Sequence, residues 1–440
     1  MSIRRVGMVS LGCAKNRVDS EIMLGLIEGA GYEIVADPAA ADAIVVNTCG
    51  FIAPAKEESI DTILEMAELK KKGSLRLLIV TGCLSQRYPE ELAAELPEVD
   101  AFLGAGQQEE IVSALRHAEG GGRPVLTGYP EGFPEVPRIL TTGGRSAYLK
   151  IGEGCDNRCA YCAIPLIRGP YFSRPADSVL REAQDLWDIG VSELTLIAQD
   201  TTHYDEPGGL AGLLRALARK DWFKWIRVLY AYPGRVTDEL LDVMEGEKGV
   251  LPYLDIPIQH VTDRMLRRMN RHDTRAGIEK LLRAVEKRKT PFVLRTTLMC
   301  GFPGETEADF REMLAFIGDH PFQHLGAFAF SPEEGTKAFG MDGAVPEALA
   351  EERLGLLMEK QRAISRGFLE ARVGELAEVL LEGREEGILY GRSWREAPDD
   401  ADGRIYVSAM EDLAGFVPVR LTRAADYDMM GEVCHDYAGQ

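Results

Sequence analysis

No apolar run in this sequence approaches the roughly 20 residues needed to cross a bilayer, so no membrane partner is expected. The opening stretch MSIRRVGMVSLGCAKN is too short in its apolar part, and wrongly flanked, for a secretory signal, which leaves a cytoplasmic protein as the expectation. Net positive charge is missing too: the formal charge is -20 and the pI about 4.9. A polyanion is repelled by such an average surface unless a local basic patch overrides it, so nucleic acid is not expected as the primary substrate. Acidity alone is also simply common among soluble proteins. Internal repeats and low-complexity tracts are absent, and lysine is absent from residues 375–440.

What is present is a 440-residue chain with 45% hydrophobic and 27% charged residues, enough for two to four cored domains. Its first third alternates buried-type strands with helices. RRVGMVSLGC, DAIVVNTCGF and LRLLIVTGC read as strands, DSEIMLGLIEGAG and APAKEESIDTILEMAELKKKG as helices. That pattern predicts a doubly wound parallel α/β domain over 1–122. The Gly- and Pro-dense stretch that follows reads as a linker, 123–140. Six strand–helix units then run from AYLKIGEGC to HLGAFAFSPEEG and predict a partial (β/α)6 barrel over 141–373, closed by a long helix. Short strands from Glu375 onward predict a small antiparallel β-barrel over 374–440.

Eight cysteines in such a chain point to metal or redox chemistry rather than a disulfide framework. Cys155, Cys159 and Cys162 crowd into eight residues and have no fourth partner nearby. Structural zinc takes four ligands and disulfides take pairs. An iron–sulfur cubane presents four irons, so three thiolates leave one iron open to an outside ligand. A zinc knuckle lacking one ligand, or a chance cluster, is the alternative. Cys13, Cys49 and Cys83 each end a predicted strand of the first domain, where a parallel sheet gathers ligands along one edge. Singly, each could be a small buried hydrophobe; together they predict a second metal site. Cys300 and Cys434 have no such partners and read as packing or incidental thiols.

The C-x₃-C-x₂-C spacing, with Tyr161 before its last cysteine, resembles the signature of radical S-adenosylmethionine (SAM) enzymes. The order of three-cysteine α/β domain, radical-SAM barrel and β-barrel tail (a TRAM domain in that family) resembles the methylthiotransferases along nearly the whole chain. SLGCAKNRVDSE, GCDNRCAYCAIPLIRGPYFSRP, YAYP, GFPGET and GRSWREAPDDADG resemble the branch acting on the twelfth small-subunit ribosomal protein. The resemblance implies two [4Fe-4S] clusters, held by Cys155, Cys159 and Cys162 and by Cys13, Cys49 and Cys83. It further implies SAM as co-substrate, sulfide or polysulfide on the auxiliary cluster, an electron-donor protein, and methylthiolation of an aspartate β-carbon. The sister branch modifies an isopentenyl-adenosine of transfer RNA. A non-enzymic iron–sulfur carrier is the reading from another class.

Charge bears on the substrate. Residues 375–440 hold fifteen acids and six arginines, a formal charge of -9. A module that grips transfer RNA should be basic, whereas an acidic one suits a basic ribosomal protein, or is merely solvated. Gln199 and Asp200 end a predicted barrel strand and, with Tyr161 and Arg271, are candidate SAM-pocket residues. Gln199 and Asp200 could equally cap the next helix. GFPGET, Gly301 to Thr306, reads either as backbone near SAM or as a glycine-rich turn.

Overall fold

The computed structural model describes residues 3–73, 75–409 and 413–434. Both extreme ends of the expected domain division, and the acids Glu411, Asp412 and Asp436, lie outside the described residues.

Strands β1 (Arg5–Ser10), β2 (Glu33–Val35), β3 (Ala43–Thr48), β4 (Leu77–Gly82), β5 (Ala101–Gly104) and β6 (Val125–Leu126) form one sheet in the order β2-β1-β3-β4-β5-β6. Every pairing is parallel. Side chains alternate between two buried faces, as a strand's two-residue period requires. Ala43, Val45, Leu77 and Ile79 pack with Met23, Ile27 and Leu115, and Ile44, Val46, Leu78 and Val80 pack with Ile63, Met66 and Leu92. Helices Ala14–Gly29 and Ile111–Glu119 thus cover one face, Ala53–Lys71 and Pro89–Glu95 the other. The short β2, β5 and β6 carry too little pattern to stand out in the sequence. Of these, β6 falls in the expected linker, so 123–140 is partly structured.

The central domain begins with β7 (Ser146–Lys150), then a two-stranded hairpin of β8 (Gly152–Glu153) and β9 (Phe172–Ser173). β10 (Glu193–Ile197), β11 (Trp225–Val228), β12 (Tyr253–Asp255), β13 (Val293–Cys300) and β14 (His324–Ala329) follow. Two parallel three-stranded sheets, β11-β10-β7 and β12-β13-β14, meet through a bridge from Ile226 to Val250, just before β12, and through the Ala231 amide, which donates to Asp255 O at 2.9 Å. All six expected barrel strands are present, and the barrel is open between its first and last. Helix Glu347–Glu370 packs along β13 and β14.

The tail closes as a five-stranded barrel, β15 (Leu376–Glu385), β16 (Ile388–Arg392), β17 (Ile405–Ser408), β18 (Gly415–Ala424) and β19 (Met429–Val433). It is not purely antiparallel: β17 and β19 run parallel, because the chain crosses over through β18 before β19 returns. The segment between β16 and β17 turns its acids toward the central domain. Asp402 accepts from Arg295 Nε at 3.0 Å and bonds the Tyr253 hydroxyl, and Asp399 accepts from the Tyr148 hydroxyl at 2.7 Å. Trp225 meets Phe416 edge-on at 4.7 Å. The formal charge of the tail therefore overstates its outward charge, since Glu396 and Asp402 are buried in these contacts.

Candidate active site between the two cysteine triads

Parallel strands bring their carboxyl ends to one edge, and β1, β3 and β4 are immediate neighbours in the sheet. Sheet order reverses between β1 and β3, the place where α/β sheets open a crevice. Cys13 follows β1 and caps helix Ala14–Gly29; Cys49 follows β3 directly; Cys83 follows β4 and opens a short helix. Two glycines let these turns crowd together. A Cβ on Gly12 (φ +88°) would lie 3.0 Å from Cys49 Cβ, and one on Gly50 would lie 2.8 Å from the Cys83 carbonyl. Asn16 ties the turns: its Nδ2 donates to the Leu11 and Thr48 carbonyls at 3.1 and 3.0 Å.

The other three cysteines lie on the loop between β8 and β9, pinned along its length. Cys155 N–H donates to Gly169 O at 3.1 Å and Ala160 N–H to Met269 O at 2.8 Å. Asn157 donates to Asp200 at 2.8 Å and accepts from Arg235 at 2.7 Å. Below the loop, Ala160 packs on Met265, Met269, Met299 and Phe302.

All six cysteines line one cavity, about 1200 Å³ of space between protein atoms and partly open to solvent. Burial pushes the Cys49 and Cys155 thiols up to about 11, and likewise raises Cys83 and Cys162. Thiols so buried and so near one another stay protonated unless metal cations supply the compensating charge. Among the described residues no three His, Cys, Asp or Glu are gathered tightly enough to chelate a single ion. Both triads border the same space.

A buried charge network holds the two domains face to face. Asp19 of the first domain accepts from Lys150 at 2.7 Å and from Arg168 at 2.8 Å. Glu153 also pairs with both cations, and burial, which would raise its carboxyl, is outweighed by the Lys150 and Arg168 charges that hold it at about 2. Arg168 reaches on to Asn16 Oδ1 at 2.6 Å and Cys83 Sγ at 3.5 Å. The interdomain angle, invisible in the sequence, is set here.

Gln199, Asp200, Tyr161 and Arg271 all line the cavity. Gln199 Oε1, Gln259 Oε1 and Arg271 Nε are buried without a hydrogen-bond partner, so the walls hold polar atoms for a polar guest. Asp200 is already engaged by Asn157, Arg235 and Thr202 and positions the cysteine loop. It makes no side-chain cap on the following turn. Arg271 donates to the Tyr161 hydroxyl at 3.3 Å and to Asp273 at 2.8 Å. Tyr230 and Gln259, at barrel strand ends, hold backbone at φ 62° and 68°, a conformation non-glycine residues adopt chiefly where function or packing imposes it.

GFPGET, His260 and Cys300 lie outside the residues that line the cavity. GFPGET is a turn: a Cβ on Gly301 would meet Ala350 Cβ at 2.4 Å, and Thr306 and Asp309 form a capping box. His260 is fully buried, its Nδ1 accepting from the Val261 and Thr262 amides. Cys300 packs in the barrel core, its thiol pushed up to about 12 by burial. The sequence reading assigned no role to Lys15, Asn16, Asp19, Glu153 or Arg168. For Lys15, Asn16 and Asp19 the signal was polar and charged residues on a helix that otherwise packs, beside Cys13; Glu153 and Arg168 flank the cysteine loop.

Residues 5–104 match the Uncharacterized protein family UPF0004, 149–317 the Radical SAM superfamily and 373–434 the TRAM domain. The chain is 47% identical over 438 residues to "Ribosomal protein uS12 methylthiotransferase RimO" of Desulforudis audaxviator, covering 98% of this chain and 97% of that one. The protein of that name from Geobacter sulfurreducens is 46% identical, covering 98% of each. Among solved structures, the radical S-adenosylmethionine methyltransferase TsrM of Kitasatospora setae, with cobalamin and a [4Fe-4S] cluster bound, superposes with a TM-score of 0.57. That match covers 86% of this chain and 81% of TsrM at 14% identity, a likeness of fold.

Proposed function

Because the chain belongs to the RimO family of ribosomal protein uS12 methylthiotransferases and to the radical SAM superfamily, we propose that it replaces a β-hydrogen of a uS12 aspartate with a methylthio group. The observation that carries this reading is the single cavity lined by both cysteine triads.

Membership of the superfamily implies SAM and one [4Fe-4S] cluster, and Cys155, Cys159 and Cys162 would hold it. Cys13, Cys49 and Cys83 would hold the second, auxiliary cluster with its sulfide or polysulfide. When bound, these groups supply the 5′-deoxyadenosyl radical that removes hydrogen and the sulfur and methyl group that replace it.

The protein's own work is binding, orientation and exclusion of water. Gln199 Oε1, Gln259 Oε1 and Arg271 Nε would take the polar groups of SAM, and Tyr161 with Tyr232 would wall its ring. Asp200 holds Asn157 and so the cysteine loop. Arg168, paired with Asp19 and Glu153, closes the first domain over the barrel and sets a cation beside Cys83. The proposed functional division is 1–122 for the auxiliary site, 123–140 as strap, 141–373 for SAM and 374–440 for substrate contact. The work would take place in the cytoplasm with an electron-donor protein. The transfer-RNA reading is not favoured, since near-full-length relatives carry the uS12 name.

The test is anaerobic incubation of the reconstituted protein with SAM, reductant, sulfide and ribosomes or uS12. Mass spectrometry should find a gain of about 46 Da on one uS12 aspartate, the difference between CH₃S and hydrogen. An unmodified uS12 beside a modified transfer RNA would overturn the reading.

A further inference from the structure

Three cations line the cavity between the triads: Lys15, Arg168 and Arg271. Two are spoken for. Arg168 is paired with Asp19 and Glu153, and Arg271 with Asp273, the Pro257 carbonyl and Tyr161. Lys15 differs. It is only 8% exposed, and its ammonium sits 3.1 Å above the centre of the Tyr230 ring with no hydrogen bond or ion pair to any described residue.

Beside it stand the Cys13 thiol and two carboxylates, both of which are occupied. Asp255 accepts from Arg295 at 3.1 Å and from the Tyr230 amide at 2.9 Å, and Glu153 serves Lys150 and Arg168. An aromatic face attracts a cation but satisfies none of its three N–H donors as a hydrogen bond would. The position is also costly for the helix. Lys15 is the second residue of Ala14–Gly29, whose positive end disfavours a cation. A lysine held here, nearly dry and unpaired, is set for an anionic group brought from outside.

Resting on the reading above, we propose that Lys15 anchors the side-chain carboxylate of the target aspartate. The carboxylate carbon is bonded to the β-carbon, so fixing it fixes the carbon that reacts. Lys15 is two residues from Cys13, and its platform Tyr230 stands on the barrel wall opposite. A carboxylate on Lys15 therefore sits in the cavity that both triads line. The same contact selects aspartate over its neutral amide, because a carboxylate gives the buried ammonium a charge-assisted hydrogen bond and an amide only a neutral one.

The experiment uses the full chain loaded with both clusters, with iron per chain matched between variants. Binding is measured by anisotropy to a labelled uS12 peptide bearing the target aspartate and to its Asp→Asn counterpart. Wild type should prefer the aspartate peptide by about tenfold or more. In Lys15→Met the preference should vanish, aspartate affinity falling about 10- to 100-fold while asparagine affinity stays within about twofold. Lys15→Arg should restore part of the preference. Retained discrimination in Lys15→Met overturns the inference, as does equal weakening of both peptides, which marks a lysine serving the cluster or the fold. Wild-type methylthiolation of uS12 is assayed alongside. Its absence would sink the functional reading, whereas its presence with unchanged discrimination in Lys15→Met sinks only the anchor.

Discussion

The two cysteine triads reach one cavity by opposite routes. Cys155, Cys159 and Cys162 sit on a single loop, and their spacing is kept by local backbone bonds and a Met/Phe bed beneath. Cys13, Cys49 and Cys83 come from three separate turns and meet only because β1, β3 and β4 are adjacent in a parallel sheet. A local triad depends on its loop; a dispersed one depends on the whole domain, on Gly12 and Gly50, and on the Asp19–Lys150–Glu153–Arg168 network. The local triad is thus robust and the dispersed one conditional.

Removing each triad separately gives the largest effect. Triple Cys→Ala at 155, 159 and 162 should lower iron per chain by about half and abolish SAM cleavage. The same change at 13, 49 and 83 should also remove about half the iron, yet leave reductive SAM cleavage while methylthio transfer is lost. Iron and sulfide analysis with Mössbauer spectra, and chromatography of 5′-deoxyadenosine, read both. Complete loss of iron in either variant would break the comparison.

Arg168→Met sharpens it. Deleting one member of a buried ion network leaves the others uncompensated, at about 3–5 kcal/mol. Because Arg168 touches Asn16 and Cys83, iron should be lost first from the dispersed triad, with the local triad's spectrum retained. Urea denaturation and Mössbauer spectra check the two parts.

Glu396 gives the smallest expected effect on either triad. Burial would raise its carboxyl, but the Arg372 charge and hydrogen bonds from Ser393 hold it at about 2, against an ordinary 4.5. A folded value below the unfolded one stabilises in full above about pH 4.5, and this support is lost as pH falls through about 2. Glu396→Gln should cost about 2 kcal/mol at neutral pH and flatten the acid limb of the stability profile. Iron content at neutral pH should not change, since the contact ties the tail to the end of helix Glu347–Glu370 and not to the cavity.

Much of the architecture was legible because periodicity survives in linear form. Residues Ala43–Thr48 and Leu77–Gly82 are continuous buried runs, and a run covered on both faces reads as a parallel strand. β2 and β6, with three and two residues, offer no period to read. The sequence could show that Gln199 and Asp200 end a strand, but not that Asp200 was already engaged while Gln199 Oε1 was free. Charge counted along the tail overstates its outward charge for a similar reason: a formal sum cannot tell an outward acid from Asp402, turned onto Arg295 and Tyr253.

The sequence alone determined that six of the cysteines fall into two sets of three, one local and one dispersed, and in what order the domains come, because spacing and hydrophobic period are properties of a line. Only the tertiary structure decided that the two triads line one cavity, that Arg168 bridges the two domains beside Cys83, and that Lys15 lines the same cavity without a hydrogen bond or ion pair to any described residue. Those facts depend on distances between residues far apart in the chain, which packing and buried charge set and no local pattern records.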